Sequence, residues 1–420
     1  MKILMVNKYF NVHGGSETYF FGLAELLKKA GHEVIFFSMQ DKKNLPCAQS
    51  EYFVSNVEFN GDLSLTDKMK AALRMVYSFE AKKKITALIE KEKPDVIHIN
   101  LFHRVLTASI VDAAKKYDLP VVFTMHDLNC ICPNHVMLDH GEICEDCLHG
   151  NYLNCIKRVC FKESRAKCMM AALESQFNKQ SGLYNKIDLF ITPSEFYKRK
   201  MQESGLTRSP IVHMKNFLPA QTVYSVQGTR GKYVLYYGRL SREKGILTLV
   251  RAMKKIQTVP LVIIGTGPEE ETIRQEVHRL GLEDRVTLAG FKSGETLWRC
   301  VRESACVVVP SEWYEASGYT ACEAQAMGKP VIATDAGGLP ENLVDGETGF
   351  VCEMKNEAAL AEAIKKVMGL SENSYNEMAQ KAAVNAKRLF DADLYVVRMT
   401  QLYQELMQEK SASKGLVHSR

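Results

Sequence analysis

CVVVPSEWYEASGYTACEAQAMGKPVIA, residues 306–333, reads as a strand, a loop, a helix and a second strand. Cys306–Val309 is a β-branched run of strand length. Thr320–Met327 has helix length and composition. Val331–Ala333 is another short apolar run. Strand, helix and strand in succession form a β-α-β unit. Repetition of such units implies a parallel sheet with helices on both faces.

The same alternation extends outward along the chain. In the second half it predicts strands at Tyr233–Tyr237, Leu261–Ile264 and Val286–Leu288. Helices are predicted at Ile246–Ile256, Glu269–Leu280 and Thr296–Glu303. The first half repeats the theme, with strands at Lys2–Val6, Glu33–Ser38, Asp95–Ile99, Val121–Thr124, Leu189–Thr192 and Ile211–Met214. Its helices are predicted at Ser16–Ala30, Lys68–Glu92, Val105–Tyr117 and Glu195–Glu203. Strand signals stop after Phe350. Lys355–Val367, Ser374–Arg388 and Leu394–Gln408 then read as helices. The fold class is therefore α/β, with two Rossmann-like domains in 420 residues. The first domain spans 1–216, with a cysteine-rich insert at about 128–168. The second spans 217–390, and 391–410 is a closing helix. Asn216–Lys232, polar and aperiodic, is the linker.

Open parallel sheets bind ligands beyond the carboxyl ends of their strands, and two such sheets facing each other make a cleft. The chemically suggestive residues fall at such strand ends. Gly14-Gly15 follows the first strand and opens a helix, where backbone N–H groups can approach an anion or a sugar. His126-Asp127 ends another strand, and a histidine there can donate to a sugar hydroxyl or handle a proton. Arg239 and Lys244 lie in a glycine-flanked turn before a helix, a pairing suited to a diphosphate. Gly265-Thr266-Gly267 lacks the Gly-Lys-Ser/Thr of an NTPase loop and suggests close backbone approach to a nucleotide. Glu315 sits in the loop before a helix beginning near Ser317–Gly318, and Glu323 about a turn and a half inside it. Carboxylates accept hydrogen bonds from sugar and ribose hydroxyls, and the amides of Gly318 and Tyr319 point at an anion.

Glu315-Ala316-Ser317-Gly318 through Glu323, continuing to Gly337-Gly338-Leu339-Pro340-Glu341, resembles the E-x7-E signature of glycosyltransferase family 4. The Arg239/Lys244 loop, the Gly14-Gly15 turn and His126 match that family in order and spacing. The resemblance implies a GT-B fold with its last helix returning to the first domain. It also implies a nucleotide-sugar co-substrate, retention of anomeric configuration and no catalytic metal. By the resemblance, Arg239 and Lys244 bind the donor diphosphate and Glu323 the ribose. Glu315 binds donor-sugar hydroxyls beneath the reacting face, the Gly318 and Tyr319 amides support the phosphate, and His126 contacts the donor sugar. Gly15 packs against the donor from the first domain. Asn216 matches an asparagine usual near the linker, but the glycine that commonly follows is replaced by Phe217, so Asn216 receives no role.

Seven of the twelve cysteines fall between Cys130 and Cys168. Cys144-Glu145-Asp146-Cys147 is a C-x2-C pair, and thiolate zinc sites use such spacing. The expected structural zinc set is Cys132, Cys144, Cys147 and Cys160, with Cys155 or a histidine as substitute. Free thiols, or disulfides under oxidation, are the alternatives. The insert follows His126 and is expected to shape acceptor recognition.

Composition narrows the partners. With 46% apolar and 25% charged residues the chain is ordinary globular protein. It has no apolar run long enough to span a membrane, and Met1–Asn7 turns polar too soon for a secretory segment, so the cytoplasm is expected. A net charge of +5 does not call for nucleic acid. Basic clusters at Lys68–Lys93 and Lys157–Lys167 read as solvated helix faces, or as contacts with the inner membrane face or a phosphorylated acceptor. The family resemblance, not composition, implies the partners: a nucleotide-sugar donor and a glycan or lipid-linked acceptor, in cell-surface polysaccharide synthesis. The competing reading is an inactive nucleotide-sugar-binding scaffold subunit.

Overall fold

The computed structural model describes residues 1–12, 14–56, 73–218 and 230–418. It divides into two compact units, Met1–Met214 with Ala392–Arg420, and Lys215–Asp391. Each unit is built on a six-stranded parallel sheet. Most of the expected linker, and the start of the expected helix Lys68–Glu92, lie outside the described residues.

The first sheet contains β1 (Lys2–Val6), β2 (Glu33–Phe37), β3 (Val96–Ile99), β4 (Val121–Thr124), β7 (Leu189–Thr192) and β8 (Ile211–His213) in the order β2-β1-β3-β4-β7-β8. The two-residue strands β5 (Leu138–Asp139) and β6 (Glu142–Ile143) form a separate antiparallel pair in the insert. Residues 73–76 are helical, the helix breaks at Tyr77–Ser78, and a second helix, Phe79–Glu92, starts where the Ser78 side chain accepts the Ala81 N–H at 3.1 Å. The insert also contains helix Leu153–Arg158, and helix Arg165–Gln180 follows; neither was anticipated from the periodicity.

The second sheet contains β9 (Val234–Tyr237), β10 (Leu261–Ile264), β11 (Val286–Leu288), β12 (Cys306–Val309), β13 (Val331–Thr334) and β14 (Gly349–Cys352) in the order β11-β10-β9-β12-β13-β14. Its central strands β9, β12 and β13 are buried on both faces, as expected of an all-parallel sheet. Val234 and Tyr236 face one core with Leu261, Ile263, Cys306 and Val308, covered by Leu249, Val250, Ile273 and Leu360. Leu235 and Tyr237 face the other with Val307, Val309, Val331 and Ala333, covered by Ala321 and Ala324. Each such fully buried aliphatic side chain contributes roughly 1.5–3 kcal/mol relative to exposure. β14 was not anticipated. It is four residues long and begins at Gly349, where an added Cβ would stand 1.8 Å from the Val331 carbonyl oxygen. Backbone proximity selects glycine there and removes the strand signal.

The last helix, Ala392–His418, clusters with the first unit. Met399, Leu402 and Tyr403 are buried. Tyr395 Oη lies 2.7 Å from Tyr19 Oη, and Tyr403 Oη lies 2.5 Å from His98 Nδ1. Among the described residues no helix is long and apolar enough to cross a membrane.

Candidate functional site

In each sheet the strand order reverses at one point, between β1 and β3 in the first and between β9 and β12 in the second. Loops leaving the carboxyl ends of such neighbouring strands open a crevice for a ligand. In the second unit these loops hold Gly238–Gly245 and Pro310–Gly318.

The two loops are laced together. Glu312 N–H donates to the Glu243 carbonyl at 2.8 Å, and Thr248 Oγ1 donates to Glu312 Oε1 at 2.5 Å. Gly245 has φ 66°, and a Cβ there would sit 1.9 Å from the Pro310 carbonyl oxygen, so only glycine fits. The loops bring Lys244 Nζ to 2.6 Å from Glu315 Oε1. Ser311 Oγ donates to the same oxygen at 2.6 Å, and the ammonium lies 5.0 Å from the centroid of the Trp313 ring. Glu315 is 6% exposed. Burial alone would raise its carboxyl, but the Lys244 charge and the hydrogen bonds outweigh this and hold it below the usual range. Its backbone is fixed by Gly338 N–H donating to the Glu315 carbonyl at 2.8 Å.

Helix Tyr319–Ala326 starts at Gly318, whose φ is 73°. Glu323 lies on this helix, half-buried, and accepts from the Tyr237 hydroxyl at 3.1 Å. Burial raises its carboxyl to about 7, with the tyrosine bond pulling the other way. Arg239 is exposed, and among the described residues its side chain has no ion pair or hydrogen bond, so it presents a free cation at the carboxyl end of β9. Gly265 has a structural reason: its φ is 140°, and a Cβ would meet the Gly238 carbonyl oxygen at 1.8 Å. It lets the β10 loop pack on the loop that holds Arg239.

In the first unit, helix Gly15–Lys29 begins at Gly14. Both glycines are exposed, and nothing lies within 4 Å of a Cβ built on Gly14, so the helix N-terminus is open. His126 follows β4 and is half-buried. Its Nε2 lies 2.8 Å from Asn100 Oδ1, which can only accept, so Nε2 carries the proton. Burial pushes the imidazole down to about 3, which keeps it neutral. The Tyr19 ring meets it edge-on at 4.8 Å. Thr124 Oγ1, at the end of β4, lies 3.3 Å from Tyr19 Oη and 2.7 Å from His98 Nε2. The expected zinc ligands Cys132, Cys144, Cys147 and Cys160 all fall in the insert.

Two family models match the chain: Glycosyltransferase Family 4 over residues 13–221 and Glycosyl transferases group 1 over residues 225–387. The chain carries both domains of a GT-B glycosyltransferase. An uncharacterised glycosyltransferase of Methanocaldococcus jannaschii is 27% identical over 379 residues, 88% of this chain and 89% of the relative. The N-acetyl-alpha-D-glucosaminyl L-malate synthase of Bacillus anthracis is 27% identical over 186 residues, 44% of this chain and 48% of that protein. Among solved structures, sucrose-phosphate synthase from Thermosynechococcus elongatus has a TM-score of 0.71 at 21% identity, covering 97% of this chain and 99% of that one. Anabaena HepE in complex with UDP has a TM-score of 0.68 at 18% identity, covering 96% and 100%.

Within these glycosyltransferase domains several polar partners escape the sequence reading. Ser311 and Trp313 stand beside Glu315 in its own loop, so proximity in sequence could have raised them. Tyr237 and Asn100 come from other strand ends, and no local pattern marks them.

Proposed function

We propose that this glycosyltransferase moves a sugar from a nucleoside-diphosphate sugar with retention of configuration and without a catalytic metal. The observation that carries the reading is the cluster of Lys244, Glu315 and Ser311 beside the exposed Arg239, at the reversal of the second sheet. Two cations at one strand end neutralise a departing diphosphate, the role a divalent metal takes in other sites. Glu323 receives the ribose hydroxyls, Glu315 the sugar hydroxyls, and the Gly318 and Tyr319 amides the phosphate. Gly14, Gly15 and Gly265 border the donor. In the retaining reaction the bond from the anomeric carbon to the phosphate oxygen breaks as the acceptor oxygen attacks the same face. The departing phosphate takes the acceptor proton, and neutral His126 contacts the sugar without serving as a base.

The acceptor is a glycan or lipid-linked molecule on the side of the first unit, in cell-surface polysaccharide synthesis. Exposed Phe79, Met169 and Leu173, with the neighbouring basic clusters, support peripheral contact with the inner membrane face.

A thermal-shift panel of nucleoside diphosphates and their sugars tests the donor. UDP is the first to try, because HepE is in complex with UDP and with UDP-glucose. Stabilisation by one diphosphate without added metal, lost in Lys244→Ala, supports the proposal. No shift with any nucleotide or nucleotide sugar overturns the proposal. NMR of the anomeric product settles retention.

A further inference from the structure

The insert, residues 128–164, has little to hold it together. Its regular structure amounts to two two-residue strands and the six-residue helix Leu153–Arg158. Its core consists of Cys147, Tyr152, Cys155 and Phe161 packed on Cys168, Ala171 and Ala172 of the following helix. His135, Met137, His140, Val159, Lys162 and Glu163 all adopt positive φ, between 48° and 65°. So small an apolar cluster does not supply the free energy to order such a backbone, and segments of this kind are held by cross-links or a metal.

The thiols are gathered for that purpose. The β5–β6 hairpin leads directly into Cys144, whose N–H donates to the Met137 carbonyl at 2.8 Å. The turn through Cys147 is closed by Leu148 N–H to the Glu145 carbonyl and Gly150 N–H to the Cys147 carbonyl, both at 2.9 Å. This Cys-x2-Cys turn is fastened from outside by Arg158 on Asp146 at 2.6 Å and by Lys200 on Glu145 at 2.9 Å. Asn134 joins two further cysteines. Its Oδ1 accepts from Cys132 Sγ at 3.0 Å, and its Nδ2 donates to the Cys160 carbonyl at 3.5 Å. Cys147 lies in the small core, and Cys160 packs against that core. Asn134 Oδ1 also accepts from the Met137 N–H at 3.1 Å, and the Met137 carbonyl in turn holds Cys144, so the four cysteines share one neighbourhood. Cys155 is fully buried in the core behind them, with its sulfur 3.4 Å from that of Cys160.

We propose that the insert holds one zinc ion on the thiolates of Cys132, Cys144, Cys147 and Cys160, and that this ion fastens the insert. Among the described residues no three histidine, cysteine or acidic side chains already stand as a ligand group. Capture therefore includes side-chain rotation, and a change of χ1 between staggered wells moves a thiol by roughly 3 Å. Binding releases four protons and leaves a centre of net charge −2, beside the Arg158 guanidinium. Cys155 and Cys168 stay as core thiols. The ion is structural, with all four positions filled by protein, and takes no part in sugar transfer.

The test is metal analysis of the full chain purified under reducing conditions without chelator, followed by cobalt reconstitution. The expected result is on the order of one zinc per chain and a thiolate-to-cobalt absorption of tetrahedral type. Cys147→Ser is expected to lose the metal and Cys155→Ser to keep it. Wild-type protein with substoichiometric zinc and no cobalt–thiolate absorption overturns the site. So does a Cys155–Cys160 disulfide in peptides from the native protein, or a folded Cys147→Ser variant that retains full zinc. The wild-type measurement decides even where a variant does not fold, and none of these readouts depends on transferase activity.

Discussion

Lys244 Nζ lies 2.6 Å from Glu315 Oε1, across the two loops that flank the strand-order reversal of the second sheet. The pair is a ready-made but self-neutralised site. A bound donor diphosphate has to share the ammonium with the carboxylate, and Ser311 steadies that carboxylate meanwhile.

Lys244→Ala and Glu315→Gln are therefore each expected to reduce turnover by on the order of 10²-fold or more, since each removes charge placed for the transition state. Lys244→Ala also leaves the Glu315 carboxylate buried without its cation, at a cost of about 3–5 kcal/mol. The double variant recovers part of that loss. Steady-state kinetics and urea unfolding check both; near-normal rates in folded single variants would sink the assignment.

Glu323, raised to about 7 by burial, gives nucleotide binding a pH dependence. The carboxylate form accepts from ribose hydroxyls, so affinity for a nucleoside diphosphate rises as pH climbs through about 7. The stability effect has the opposite sign. A carboxyl with a raised folded pKa binds more protons in the native state, so its contribution is present below the ordinary carboxylate range and is lost through pH 7. Calorimetric titrations at several pH values are expected to show the trend in wild type and a shallower one in Glu323→Gln, where only the ligand's terminal phosphate, with a second pKa of about 6, still titrates.

His126, lowered to about 3 by burial, stays neutral across the working range. The pH profile of kcat/KM is then expected to show no histidine limb near the ordinary value. Native-state stability falls as pH drops below about 6.5, where the unfolded chain takes up a proton that folded His126 refuses. Asn100→Ala removes the acceptor that fixes the ring and is expected to lower kcat more than it raises KM. A rate limb that vanishes in His126→Asn would contradict the neutral assignment.

Tyr403→Phe tests the docking of the last helix. It leaves His98 Nδ1, fully buried, without its 2.5 Å partner, at an expected cost of about 1–3 kcal/mol. Chemical denaturation reads this directly. A loss of transferase activity larger than the lost stability explains would trace the Thr124–His98 link to the end of β4.

Much of the fold was legible because it rests on local signals. The β-branched runs ending at Val6, Thr124, Tyr237 and Val309 announce buried strands, and the chemical residues follow them. Gly14, Gly245 and Gly318 mark helix starts. Other features left no such trace. β14 is hidden by a glycine chosen for closeness to Val331. Helix Phe79–Glu92 starts at Ser78 inside a longer apparent helix. Gly265 reads locally as a loop for a nucleotide, and only the fold adds a second demand for its missing Cβ, the nearby Gly238 carbonyl.

By itself, then, the sequence determined two α/β sheets and the identity of the groups at their strand ends, because side-chain period, turn residues and motif spacing are written locally. Only the tertiary structure decided which of those groups meet. Strand order set Lys244 against Glu315 and Tyr237 against Glu323; burial raised Glu323 to about 7, while the Lys244 charge and its hydrogen bonds outweighed burial and held Glu315 low. Neither result can be read from spacing, because each depends on residues roughly 70 or more positions apart brought together by the crossover order of a parallel sheet.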